Sequence, residues 1–154
     1  MIRKKSSSGF TLAELMIAVA IVAVVITGML QLFIYASTLV ALQGNKTRAI
    51  FEAQTLMEQI RTHDFDTIAT DYAAGGTPGD TFTLTSINGE AVVYVTSVNS
   101  SLLDVEVVVC WTDKYSRVIG SDLDMDGDVD AGEDPDGDGR LDSIVSLRTR
   151  IVDR

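Results

Sequence analysis

From Leu15 to Asn45 the chain carries no charged residue, a run of 31 positions flanked by Glu14 and Lys46. Within it, Leu15 to Ile34 is twenty almost wholly apolar residues; at a helical rise of about 1.5 Å each they span the roughly 30 Å of a bilayer core. In lipid such a segment has to be helical, because no water is present to satisfy its backbone groups. Arg3, Lys4 and Lys5 precede the run. Positive charge stays on the cytoplasmic side, so the expectation is a single-pass chain, N-terminus inside, with everything beyond about residue 40 exported.

Two features set this span apart from an ordinary anchor. Glu14 stands one residue before the apolar run, where a carboxylate carried to membrane depth costs a few kcal/mol and needs a partner. Ser6, Ser7, Ser8 and Gly9 separate the basic residues from the first hydrophobe, so a cut at a small residue there leaves the apolar helix attached. A secretory signal places its small-residue site after the apolar region instead.

The string Gly9-Phe10-Thr11-Leu12-Ala13-Glu14, behind a short basic leader, resembles the processing site of the type IV pilin superfamily, which includes pilins, minor pilins and the pseudopilins of type II secretion. The resemblance implies a leader of residues 1–9, cleavage after Gly9 by a membrane-embedded prepilin peptidase, and N-methylation of Phe10. It implies that Glu14, as fifth mature residue, sets the assembly register by pairing with the amine of a neighbouring subunit. It further implies partners among other pilin or pseudopilin subunits, met through the N-terminal helix at an inner-membrane assembly platform. The protein would start in the bacterial inner membrane with its head in the periplasm and end in a pilus or pseudopilus.

Beyond the span the helical pattern continues. Ala49, Ile50, Ala53, Leu56, Met57 and Ile60 recur at three- and four-residue spacing, with Arg48, Glu52, Glu58 and Arg61 on other faces. One N-terminal helix over residues 10–63 is expected, transmembrane over 15–34 and amphipathic after it. Residues 64–80, which include Gly75-Gly76-Thr77-Pro78-Gly79, read as a connecting loop. The period then changes to two. Thr81–Ile87 and Ala91–Val98 alternate around Asn88-Gly89, the favoured two-residue type I′ turn, and predict a hairpin. Leu102–Thr112 supplies a third strand and Ser143–Val152 a fourth. The fold class is therefore α+β, a long helix packed on a four-stranded antiparallel sheet that fills residues 81–154, and the resemblance implies that this is a pilin-like fold. The helix end around Ala49–Asp66 resembles those of PilV-type minor pilins and of the pseudopilin I branch, and the last two strands resemble the closing hairpin of PilV-type minor pilins, with their short turn replaced by about thirty residues.

That replacement, an acidic insertion over residues 120–142, carries the chemistry. Asp122–Asp142 holds ten carboxylates and one arginine in 21 residues. Asp122, Asp124, Asp126, Gly127, Asp128, Asp130 and Glu133 fall at the first, third, fifth, sixth, seventh, ninth and twelfth places of an EF-hand-like calcium loop. Alternating side chains there converge on one point, glycine permits the sharp turn, and the last glutamate closes the sphere with two oxygens. Asp128 contributes its backbone carbonyl. Asp134, Asp136, Asp138, Gly139 and Asp142 repeat the opening, with the carbonyl of Arg140 at the seventh place. The twelfth place is Val145, so the second site lacks its closing carboxylate. The cofactor expected is Ca²⁺ at the first site; the second cluster is a weaker site or shares ligands with the first. Pro135 and the adjoining strands exclude the flanking helix pair of a calmodulin-like switch.

Composition excludes other classes. Removal of residues 1–9 leaves 9 basic against 22 acidic residues, net −13, which is the wrong sign for nucleic acid. Cys110 is the sole cysteine, so there is no intrachain disulfide, and its apolar neighbours make it a buried small hydrophobe. His63, the sole histidine, has no catalytic company and reads as a surface residue. No enzyme is expected. Three functions remain open: a minor pilin of a type IV pilus-like filament, a minor pseudopilin of a type II secretion system, and a signal-anchored periplasmic calcium-binding module that never polymerises.

Overall fold

The computed structural model describes residues 9–153. Arg3, Lys4 and Lys5, and with them all of the expected leader except Gly9, lie outside the described residues. The chain divides into two compact units, Met1–Ala41 and Leu42–Arg154. Helix α1, Leu12–Arg61, is 50 residues long and contributes to both.

In the first unit the helix is exposed on every side from Leu12 to Ser37, and it is long and apolar enough to cross a membrane. Its hydroxyl side chains at Thr27, Ser37 and Thr38 turn inward on the backbone: that of Thr27 donates to the Ala23 carbonyl and those of Ser37 and Thr38 both donate to Ile34. No donor is left facing lipid by these residues, as a bilayer requires. The segment fits a membrane-anchored single-pass protein.

In the second unit the same helix becomes one-sided. Ala49, Ala53, Leu56, Met57 and Ile60 are buried, and Ile50 packs on the edge of their cluster, which is the stripe that the spacing predicts. The helix ends at Arg61. A second helix, α2 (Phe65–Asp71), follows where a loop is expected over residues 64–80. Phe65, Ile68, Ala69 and Tyr72 recur at helical spacing and pack into the main core, a signal that the glycine-rich stretch behind it masks. His63 meets the Tyr72 ring edge-on, 5.2 Å between centroids, and lies 3.6 Å from Asp71.

The sheet holds five strands, all paired antiparallel: β1 (Thr81–Thr83), β2 (Gly89–Asn99), β3 (Leu102–Thr112), β4 (Val118–Ile119) and β5 (Ser146–Val152). The order is β1-β2-β3, with β4 and β5 sharing the far edge of β3. β5 pairs along Leu102–Val108, and β4, a two-residue strand beyond the four expected, pairs with Trp111 and Thr112. One face, with Ala91, Val93, Val105, Val107, Val109 and Trp111, buries itself under α1. The other face is covered as well. Burial along β3 is nearly continuous, where a strand with one wet face would alternate. Val92, Val108 and Cys110 form a second cluster with Leu141, and Tyr94 and Met125 pack against it. Leu141 and Met125 belong to the acidic insertion, which lies over the outer face of the sheet.

The first hairpin departs from the expected one. β1 stops at Thr83, which pairs with Glu90, and the Leu84 N–H donates to the Gly89 carbonyl at 3.0 Å. Asn88-Gly89 is therefore the end of a longer loop and not a two-residue turn. Helix α1 takes hold of that loop: Glu52 Oε1 accepts from the Thr85 hydroxyl at 2.8 Å and the Ser86 N–H at 2.9 Å, and Arg48 donates to the Ser86 carbonyl at 3.3 Å. These bonds satisfy the backbone groups that a longer ladder would have paired. Bonds from Ser86 and Thr85 also hold the Glu52 carboxyl below its usual pKa of 4.5. Glu52→Ala is expected to cost about 1 to 2 kcal/mol at neutral pH in a thermal melt. Because the folded pKa is the lower one, that contribution is complete above the ordinary glutamate value and disappears as pH falls through the folded value. The gap between wild type and variant should therefore close on acidification.

Candidate functional site

At the head of α1, Thr11 is the N-cap and Glu14 the third helical residue. The Thr11 N–H and hydroxyl both donate to Glu14 Oε2, at 2.9 and 3.0 Å, and the Glu14 N–H donates back to Thr11 Oγ1 at 3.3 Å. This is a reciprocal capping box, which satisfies two end donors of the helix at once. The T-x-x-E spacing is its signal, which the sequence reading missed, and it gives Glu14 a partner within its own chain. Gly9 and Phe10 precede the box, and Phe10 is 88% exposed.

The acidic insertion contains one turn built twice. In the first copy Asp122 Oδ1 accepts from the Met125 N–H and Oδ2 from Gly127, and Asp126 accepts from Asp128. In the second copy, twelve residues on, Asp134 Oδ1 accepts from Gly137 and Oδ2 from Gly139, and Asp138 accepts from Arg140. Met125 and Gly137 have φ of 62° and 78°, and Gly127 and Gly139 82° and 78°; both copies thus bend at the same two places. Each turn gathers three carboxylates. One oxygen from each of Asp122, Asp124 and Asp126 lies within 4.8 Å of the others, and the same holds for Asp134, Asp136 and Asp138.

The expected ligands are not all drawn into these trios. Asp128 and Asp130 are exposed and outside the first. Glu133 is 2% exposed; its Oε1 accepts from the Leu123 N–H at 2.6 Å and its Oε2 from Asp130 at 3.0 Å, so it closes the loop through backbone donors. Asp142 is exposed and meets Ser121 through its backbone. Val145, at the missing twelfth place of the second copy, is buried in the main core.

Electrostatically the two copies differ. Asp122 is fully buried, and burial raises its pKa, with the charge of Glu133 acting in the same direction. Asp124 is also raised, by desolvation and then by Asp126, Glu133 and Asp130. Asp134 is lowered, chiefly by the Gly139 N–H. Against the Asp138 N–H bond, desolvation and the charges of Asp138 and Asp142 raise Asp136 of the second copy as well; both trios are crowded, and Asp122 is the one buried carboxylate of the six. An all-oxygen donor set of that kind fits a hard divalent cation, and calcium better than magnesium, which keeps several of its waters.

Residues 4–30 match a family model described as the prokaryotic N-terminal methylation motif. The match supports a type IV pilin or pseudopilin-like subunit. No curated protein and no solved structure matches the chain. Such a motif points to a structural subunit rather than an enzyme. It also suggests assembly with other pilin subunits after processing by a prepilin peptidase.

Several residues that seat the insertion escaped the sequence reading. Arg140 donates to Glu106 at 2.7 Å and to Thr96 at 2.9 Å, and its guanidinium lies 5.3 Å from the Tyr94 ring centroid. The Tyr94 hydroxyl accepts from the Leu141 N–H. Burial raises the Cys110 pKa, which keeps this buried residue a thiol, as its apolar neighbours predict. Asp104 on β3 takes a bidentate bond from Arg148 on β5, at 2.8 and 2.9 Å, which holds its pKa down. Glu90 on β2 has a shielded oxygen, Oε2, that meets no hydrogen-bond donor among the described residues. None of these shows a motif, since each depends on strand register.

Proposed function

We propose that the protein is a minor pilin, a structural subunit of a type IV pilus-like filament, cleaved after Gly9 and methylated at Phe10, with a head stabilised by calcium. The observation that carries this reading is the methylation motif over residues 4–30 leading into a helix with no charge from Leu15 to Asn45. An apolar rod exposed on all sides needs other helices or lipid around it. Glu14 then acts as a register device: its capping bonds satisfy only part of a carboxylate, and the new amine of a neighbouring Phe10 is the natural counter-charge in a dry bundle.

Calcium belongs to the proposal through the doubled carboxylate turn. Asp122, Asp124 and Asp126 form the first site, with Asp128, Asp130 and Glu133 completing it, and Asp134, Asp136, Asp138, the Arg140 carbonyl and Asp142 form a second. A minor pseudopilin of type II secretion shares every one of these features and is the second reading. Detection of the protein in purified pili, against its detection with a secretion apparatus, separates the two.

Mass spectrometry of protein isolated from cells tests the processing. The expected N-terminus is Phe10 carrying one extra methyl group, and a chain that begins at Met1 would overturn the filament reading. Glu14→Ala is expected to be inserted and cleaved normally yet to be nearly absent from sheared filaments. Normal incorporation would remove the register role.

A further inference from the structure

Glu90 is the one acidic residue of β2, and strand register fixes where it points. It pairs with Thr83 on β1 and Cys110 on β3. Cys110 belongs to the outer cluster with Val92, Val108 and Leu141, and therefore Glu90 rises on the face that the insertion covers. The first carboxylate turn sits at this corner of the sheet. Gly127, at its sixth place, is pressed so close to β1 that a Cβ there would lie 2.5 Å from the Thr81 side chain.

The carboxylate of Glu90 is poorly served. Oε1 has only a long bond, 3.5 Å, from the Thr83 hydroxyl. Oε2 is shut off from solvent, and no donor among the described residues reaches it. Gly120, two residues before Asp122, lies against the side chain of Cys110, the residue with which Glu90 pairs on β3, and burial first, then the charges of Asp122 and Asp126, raise the Glu90 pKa. Glu90 stands outside the Asp122, Asp124 and Asp126 trio, and a dry carboxylate oxygen under so acidic a loop is a costly arrangement unless a cation is shared between them.

We infer that Glu90 is a metal ligand supplied by the sheet to the cation of the Asp122–Glu133 loop, and that it ties the loop to β2. This rests on the calcium reading of that loop. Glu133 is already held by the Leu123 and Asp130 N–H groups, one on each oxygen, which leaves a lone pair on each for the ion, and Glu90 adds to it a ligand from outside the loop. Calcium takes about six to eight oxygens with flexible geometry, so a ligand from outside the loop is readily accommodated. A bond from strand to loop through the ion explains why a highly acidic segment lies flat on the sheet.

The test is calcium titration of the full-length protein in detergent micelles, followed by calorimetry, for wild type, Glu90→Gln and Asp124→Asn. Wild type is expected to bind, and both variants to bind about tenfold more weakly or worse. Melting temperatures provide the second readout. Glu90→Gln removes a charge that is repelled when no cation is present and used when one is. Its melting temperature should therefore rise above wild type in chelator and fall below it in excess calcium. A residue with a merely structural role would shift both in one direction, and that result would overturn the proposal, as would wild-type affinity in Glu90→Gln. If wild type itself gives no calcium heat, the calcium reading falls and the Glu90 role falls with it. Binding by wild type and Glu90→Gln alike, with loss in Asp124→Asn, overturns the Glu90 role alone.

Discussion

Chelating calcium from the full-length protein in detergent is expected to lower the melting temperature of its head by about 10 °C and to expose Cys110. One site filled at about a hundredfold excess over Kd stabilises the folded state by about 2.7 kcal/mol, which for a domain of this size corresponds to about 10 °C. The thiol adds a spatial readout. Cys110 is 2% exposed; it lies beneath Leu141 and beside Gly120, where a Cβ would come within 2.4 Å of its sulfur. Ten carboxylates against one arginine repel one another without a cation, and only the contacts of Leu141 and Met125 and the bonds of Arg140 and Leu141 to the sheet then oppose that repulsion. Maleimide labelling of Cys110 should therefore be slow in calcium and at least about tenfold faster in chelator, while the core under α1 remains closed. Equal labelling rates and an unmoved melting temperature would show that the doubled turn holds no structural ion.

The main core was legible because its elements announce themselves by period. Ala49, Ala53, Leu56, Met57 and Ile60 mark one helical stripe, and Leu102–Thr112 is a strand with the same bounds in sequence and structure. What escaped the sequence was set by contacts between segments distant in the chain. The two residues of β4 offer no period at all. The short β1 follows from Glu52 and Arg48, which reach across from α1 to the Thr85-Ser86 loop. The carboxylate turns were visible as spacing, for alternating aspartates and a glycine at the sixth place are local features. Their seat on the sheet was not, because it depends on Arg140, Leu141, Tyr94 and Glu106 meeting across more than thirty residues. Glu90 illustrates the same limit: in sequence it is one polar residue beside a turn signal, and strand register alone brings it under the insertion.

Asn88 and Gly89 separate sequence expectation from structure by the sign of a mutational effect. A type I′ turn would need positive φ at both positions, so Asn88→Gly would be neutral or stabilising. In this fold neither has positive φ. The Asn88 side-chain amide donates to Thr112 Oγ1 at 2.6 Å, and the Asn88 backbone carbonyl accepts from the Thr112 N–H at 2.9 Å. Asn88→Gly therefore loses a cross-strand bond and gains backbone entropy in the unfolded chain, and is expected to destabilise by about 1 to 2 kcal/mol. Gly89 is required for a different reason, close approach. A Cβ there would lie 2.2 Å from the Cys110 carbonyl oxygen and 2.6 Å from Trp111 Cβ, and both are anchored in the central strand. Since β3 is buried on both faces, the backbone has little room to yield, and Gly89→Ala is expected to cost about 3 kcal/mol, the upper end for a forced overlap. Denaturant unfolding of the full-length protein in detergent, with calcium held constant, measures both. A stabilising Asn88→Gly with a tolerated Gly89→Ala would restore the two-residue turn and extend β1 toward Ile87. Two losses, the larger at Gly89, place the end of β2 against Trp111, where the register of the whole outer face, Glu90 included, begins.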